Sequence, residues 1–148
     1  MSNFNLFATL RAAFPADLDA VAVETADADG DSLRYSWRDL DRATAMMANL
    51  LASLDLPDGS RIAVQVEKSV EAMVLYLATL RAGFVFLPLN TAYQSAEISY
   101  FIGNAEPAVV VCSPRNFGWV SKIAFTAGTS HVFTLGDDRT GSLLDRAA

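Results

Sequence analysis

Cys112 and His131 are the chain's single cysteine and single histidine, and so its only obvious nucleophile and its only imidazole base. Each sits at the edge of a predicted strand, with neither triad-like nor ligand-like spacing, and both read as packing residues. One histidine and one cysteine also make a structural zinc site an improbable use of this chain. The run Asp27-Ala-Asp29-Gly-Asp31 begins like a calcium loop. Such a loop needs glycine at its sixth position and a bidentate glutamate at its twelfth. Counted from Asp27, these positions hold Ser32 and Arg38, so the run is expected to be a hairpin turn. Thr126-Ala-Gly128-Thr-Ser130 has the small residues of a phosphate cradle. A cradle, however, follows a strand and opens a helix, and here the predicted order is helix then strand, without a lysine in reach. A helix end and turn is the expectation, and no Gly-x-Gly-x-x-Gly or Gly-x4-Gly-Lys-Ser/Thr pattern occurs. Gln65-Val-Glu67-Lys68-Ser69 is different, because it joins the end of a predicted strand to a helix start, where open α/β sheets place ligands. The same residues also suit a solvated loop with Ser69 as a helix cap.

The elements that carry these residues follow from periodicity. Leu6, Leu10 and Phe14, with Phe7 beside them, predict one face of a helix that Pro15 ends. Strands over Ala20–Glu24 and Leu33–Tyr35 form a hairpin around the Asp27–Ser32 turn. Ser36 and Asp39 make a short capping box for a helix with the stripe Leu40, Ala43, Met47, Leu50 and Leu54, stopped by Pro57-Asp58-Gly59.

From there the pattern is regular. A strand over Arg61–Val66 is followed by a helix over Val70–Ala82 that is apolar almost all round, with Gly83 at a left-handed end position. Phe84–Leu89 is a strand ended by Pro88, and a helix follows near Ala96–Asn104. Ala108–Cys112 is a continuous apolar run, as in a strand buried on both faces. Ser113 and Pro114 supply a cap and a first-turn proline for a helix carrying Phe117, Val120 and Ile123. His131–Leu135 is a further strand, and the segment from Gly141 to Ala148 opens a helix. Strand and helix alternate, so the fold class is α/β: a mainly parallel sheet flanked by helices in βαβ units, with a short hairpin near the N-terminus.

Composition excludes several classes. The chain has 148 residues, 52% hydrophobic and 19% charged, which is enough for one domain with a sizeable core. Mean hydropathy of +0.26 is high, and suggests apolar surface meant for another domain or subunit, a homo-oligomer included. A net charge of -6 with scattered basic residues argues against nucleic acid. A lone cysteine fits a reducing cytoplasm, and no secretory signal is legible at the start. The most apolar segment, Ala72 to Leu80, is too short to span a bilayer, so no membrane partner is expected.

Two segments carry a resemblance. Tyr35-Ser-Trp-Arg-Asp-Leu40 resembles the early motif of the adenylate-forming superfamily, and Leu80-Arg-Ala-Gly-Phe-Val-Phe-Leu-Pro-Leu-Asn90 is similar to its second motif, in family order and with a family-like interval. The runs Glu67–Ala78, Pro88–Tyr93 and Ala105–Cys112 resemble malonyl-CoA synthetases in particular, and the likeness covers the chain from Asn5 to about Leu144. The resemblance implies that the parent protein is an ATP-dependent acid–CoA ligase using ATP, Mg and CoA on malonate or a similar carboxylate. In such enzymes a carboxylate attacks the α-phosphate of Mg-ATP, and CoA thiol then displaces AMP from the acyl-adenylate. The family's phosphate loop, adenine and ribose motifs and C-terminal lysine domain normally lie further along. Residues 1–148 are therefore expected to be an amino-terminal subdomain that packs against the remaining domains of the same enzyme. On this reading the ATP-binding and C-terminal domains are absent from it, and it is expected to carry no catalytic residue, to bind none of these cofactors tightly and to be inactive alone. The resemblance further implies that the CoA nucleotide passes over this subdomain, with Arg115 as the residue to meet its phosphates. A solvated helix N-terminus is the other reading of Arg115. The alternatives for the whole chain are a stand-alone interaction or regulatory module on the same scaffold, or an unrelated flavodoxin-like domain.

Overall fold

A computed structural model describes residues 4–148. Its elements run α1 (Leu6–Ala12), β1 (Val21–Ala26), β2 (Ser32–Ser36), α2 (Trp37–Ser53), β3 (Arg61–Gln65), α3 (Val70–Arg81), β4 (Val85–Pro88), α4 (Ser95–Ala105), β5 (Val109–Cys112), α5 (Phe117–Thr126), β6 (His131–Thr134) and α6 (Ser142–Ala147). A 3-10 turn over Pro114–Asn116 leads into α5. β1 and β2 form the antiparallel hairpin, and four parallel strands form the main sheet in the order β4-β3-β5-β6. The α/β class and the flanked parallel sheet are as the sequence reads.

The local chemistry explains the boundaries. Asp27 accepts the amides of Asp29 and Asp31 at its Oδ1, both at 2.9 Å, so the acidic run folds on itself as the turn between β1 and β2. The Ser36 hydroxyl accepts the Asp39 amide at 3.0 Å while the Asp39 carboxylate accepts the Ser36 amide at 2.8 Å. That reciprocal box satisfies two of the donors that every helix start leaves open. Gly83 ends α3 at φ +83, a conformation that costs glycine little.

The sheet divides the interior in two. On one side Ile62, Val64, Val109, Val111 and Phe133 pack with Leu51 of α2 and Leu75 and Ala78 of α3. On the other side Ala63, Val110 and Cys112 meet Ile98 and Ile102 of α4 and Val120 and Ala124 of α5. All four residues of β5 are buried, as expected for an interior parallel strand with helices on both faces.

Four expectations change. In α1 the leucines face outward, with Leu6 49% and Leu10 38% exposed, and the buried residue is Phe7 beneath the Arg81 guanidinium, 4.8 Å from its ring centroid. A cation on the neighbouring helix, rather than the leucine stripe, fixes how α1 lies. α3 is not buried all round, because Met73 and Tyr76 are exposed, the Tyr76 ring lying edge-on to Phe86 of β4 at 5.0 Å. Ser113 stands at the cap position before the 3-10 turn, but its carbonyl, not its hydroxyl, takes the Asn116 amide at 2.9 Å. Phe117, 40% exposed, anchors less than Val120, which is fully buried.

Candidate functional site

The strand order creates one crevice. From β3 the chain crosses to β4 on one side, then returns to β5 on the other, so its direction reverses between β3 and β5. In open parallel sheets ligands bind beyond the strand C-termini at such a reversal. Here the last paired residues are Gln65 and Cys112. The Ser113 amide continues the ladder by donating to the Gln65 carbonyl at 3.2 Å. The loops that open from these two positions hold the residues singled out in the sequence: Glu67, Lys68 and Ser69 after β3, and Arg115 after β5.

The structure joins them. Arg115 Nη2 lies 3.1 Å from Glu67 Oε1, across the crevice between the two loops. Both side chains are open to solvent, at 74% and 43% exposure. A hollow of about 240 Å³ beside the pair is lined by Glu67, Ser113, Pro114, Arg115, Gly136, Asp137 and Asp138. Three carboxylates, those of Glu67, Asp137 and Asp138, thus share this lining with one guanidinium, that of Arg115. A second hollow continues past Lys68 to Asn90 and Thr91. A third, of about 370 Å³, runs from Lys68 and Ser69 to Tyr35 and the β1–β2 turn. Ser69 takes the Ala72 amide at 3.0 Å and is the N-cap of α3, so the capping half of its reading holds.

The sequence reading missed one contributor altogether and the role of another. The first is the loop after β6. Gly136 N–H donates to the Thr140 carbonyl at 2.8 Å, and Asp138 Oδ1 accepts the Thr140 hydroxyl at 2.6 Å. The hydroxyl is the main reason the Asp138 carboxyl lies below the usual carboxylate range. The loop's composition, Gly-Asp-Asp-Arg-Thr-Gly, is turn chemistry and was the signal available. The second is Gln65 itself, which is buried at the floor of the crevice. Its Nε2 donates to the carbonyls of Asn90 at 2.9 Å and Tyr93 at 3.2 Å, fixing the loop that leaves β4. Its Oε1 is buried without a partner among the described residues.

Tyr35, from the early motif, donates its hydroxyl to Glu71 Oε1 at 2.7 Å. Burial, then the Glu71 carboxylate, push the phenol up to about 12. This ties the hairpin to the start of α3, and the phenol stays protonated at neutral pH.

Cys112 and His131 are not brought together. In the β5–β6 register His131 stands opposite Val109, three residues back from Cys112, so roughly 10 Å of strand separates their levels. Burial pushes the Cys112 thiol up to about 11, the opposite of an activated nucleophile. The Thr126–Ser130 stretch is the end of α5 and a turn: Gly128 has φ +94, and the Thr129 hydroxyl donates to the Pro107 carbonyl at 2.9 Å. Among the described residues no group of three or more His, Cys, Asp or Glu is placed to hold a metal ion. Among them, too, no helix is long and apolar enough to cross a membrane.

The hollow beside Arg115 is lined by three carboxylates and one guanidinium, a charge balance that does not suit a triphosphate. A single phosphate group reaching Arg115 is a smaller demand, and the exposed guanidinium suits it.

Comparison with known proteins agrees with this architecture. MatB from Rhodopseudomonas palustris, solved with ATP bound, is 47% identical and superposes with a TM-score of 0.88, covering 99% of this chain and 28% of that one. A benzoate CoA ligase from Burkholderia xenovorans LB400 shares the fold at a TM-score of 0.78 and 21% identity, over 98% of this chain and 28% of its own. Fumosorinone synthetase of Cordyceps fumosorosea (strain ARSEF 2679) is 35% identical over 91 residues, 62% of this chain and 2% of that protein. The chain therefore spans under a third of these solved relatives and a far smaller share of that synthetase. The sequence pattern of the AMP-binding enzyme family matches residues 10–142, and the chain belongs to that family.

Proposed function

We propose that this chain is the amino-terminal α/β subdomain of an ATP-dependent acid–CoA ligase that makes an acyl-adenylate and then an acyl-CoA thioester, with malonate or a related short dicarboxylate as substrate. The observation that carries the reading is the 47% identity to MatB across 99% of this chain, added to family membership. The likeness of the Glu67–Ala78 and Pro88–Tyr93 runs to malonyl-CoA synthetases supports the choice of acid. In this reading ATP and Mg belong to domains beyond residues 1–148, which are this subdomain's partners, and the protein works in the cytoplasm. CoA, when bound, supplies the thiol that displaces AMP. Arg115 is the residue here that would hold one of its phosphates, from an exposed position at the strand reversal.

The chain's own contribution is positional. Gln65 and the β3–β5 ladder fix the floor of the crevice, the Glu67–Ser69 and Ser113–Asn116 loops form its walls, and the β6–α6 loop closes one side. The reading is tested by replacing the matching segment of R. palustris MatB with this chain and measuring AMP and malonyl-CoA formation. The chimera is expected to turn over, and residues 1–148 alone are not. A folded but inactive chimera would count against the ligase assignment, and turnover by the isolated chain would refute its dependence on other domains.

A further inference from the structure

The guanidinium that suits a phosphate already has a carboxylate on it. We propose that Glu67 is a competing counter-ion for Arg115: a phosphate entering the crevice must displace it, so Glu67 sets how tightly this surface takes CoA. The inference rests on the reading of Arg115 as a CoA-phosphate group and adds a residue which that reading does not contain.

Three observations support it. Arg115 Nη2 and Glu67 Oε1 are 3.1 Å apart, so one edge of the fork that would grip a phosphate in bidentate fashion is occupied. Both side chains are largely in solvent, where ion pairs are weak and readily exchanged, so the contact is displaceable rather than a fixed staple. Asp137 and Asp138 line the same hollow, so their negative charge adds to that of Glu67 against an entering anion and leaves Arg115 as the one lining cation that can hold it. Glu67 and Arg115 lie 48 residues apart in sequence, on loops that only the β3–β5 pairing brings together.

The test is titration with CoA of the R. palustris MatB chimera that carries this chain, followed at the Arg115 Nε–Hε resonance and by calorimetry, for the chimera itself as wild type, E67Q, R115Q and the double variant. E67Q is expected to bind CoA about two- to fivefold more tightly than wild type, the scale of an exposed pair. R115Q is expected to weaken binding, and E67Q/R115Q to match R115Q, since removing the guanidinium removes what Glu67 competes for. A purely structural staple predicts the opposite sign, because E67Q would then loosen the loops and weaken binding. Equal or weaker binding by E67Q, with R115Q still impaired, overturns the role of Glu67 alone. Absence of any CoA-dependent shift at Arg115 in both wild type and E67Q overturns the CoA reading of Arg115 and this inference together.

Discussion

The side-chain amide of Gln65 donates from Nε2 to the Asn90 carbonyl at 2.9 Å, so a buried residue ending one strand holds the loop that leaves its neighbour. The same nitrogen reaches the Tyr93 carbonyl at 3.2 Å. Q65L deletes both donors; the Asn90 carbonyl keeps the Tyr93 amide at 3.1 Å, whereas the Tyr93 carbonyl loses its Gln65 donor, with an expected loss of about 1–3 kcal/mol in urea unfolding, moderated because the unpartnered Oε1 disappears too. Q65E is expected to be worse at neutral pH, since a buried carboxylate would face two carbonyl oxygens, and to recover partly on acidification.

Cys112 gives the chain an alkaline weakness. Its folded-state thiol lies at about 11, above the ordinary value of 9.0, because burial disfavours the thiolate. Between these values the unfolded chain loses its proton and the folded chain keeps it, so stability is intact below pH 9 and falls as pH rises through 11. The loss is expected to reach about 2–3 kcal/mol, read from urea midpoints across that range. C112A should remove the Cys112 part of this limb and leave the part due to Tyr35, whose phenol is pushed up from 10.0 to about 12.

Asp41 produces the opposite limb. Although burial opposes ionisation, hydrogen bonds from Arg11 and then Arg81 hold its carboxyl below the ordinary 3.8. Arg11 Nε is 3.2 Å and Arg81 Nη1 3.0 Å from Oδ1. The stabilisation is present above pH 3.8 and is lost as pH falls through the lower folded value. D41N should cost about 1 kcal/mol at neutral pH, kept small by partial exposure, and should remove that part of the acid transition. Thermal melts from strongly acidic to neutral pH would show whether the two curves converge in acid.

Two glycines should respond in opposite directions. Gly141 has φ +133, and an added Cβ would crowd the Thr134 carbonyl, so G141A is expected to cost about 2–3 kcal/mol. Gly103 lies inside α4 with open space around its Cα, and G103A should stabilise by about 0.5–1 kcal/mol. Paired denaturation curves check both signs at once.

Local chemistry was the legible part. Ser36 with Asp39, Gly83, and the unbroken apolar run ending at Cys112 each announced a boundary or a buried strand through interactions a few residues long. The orientation of α1 was hidden because Arg81 and Asp41, far along the chain, decide which side of it is covered. The candidate site was half legible. Glu67 and Arg115 could both be placed at strand ends, but their contact depends on β5 adding to β3 on the side away from β4, which no periodicity encodes. Gln65 stood inside a singled-out run, yet its hold on Asn90 and Tyr93 requires that same arrangement.

The position of β3 at the middle of the sheet has a consequence for biogenesis. Both of its neighbours come later in the chain, β4 first and β5 only after α4 has been made. A ribosome-bound intermediate that has released α4 but not β5 therefore shows one unpaired side of an apolar strand to its surroundings. A translational pause after α4 has left the ribosome and before β5 does would lengthen that vulnerable interval, and a chaperone that recognises exposed strands would find its target there rather than in the finished protein.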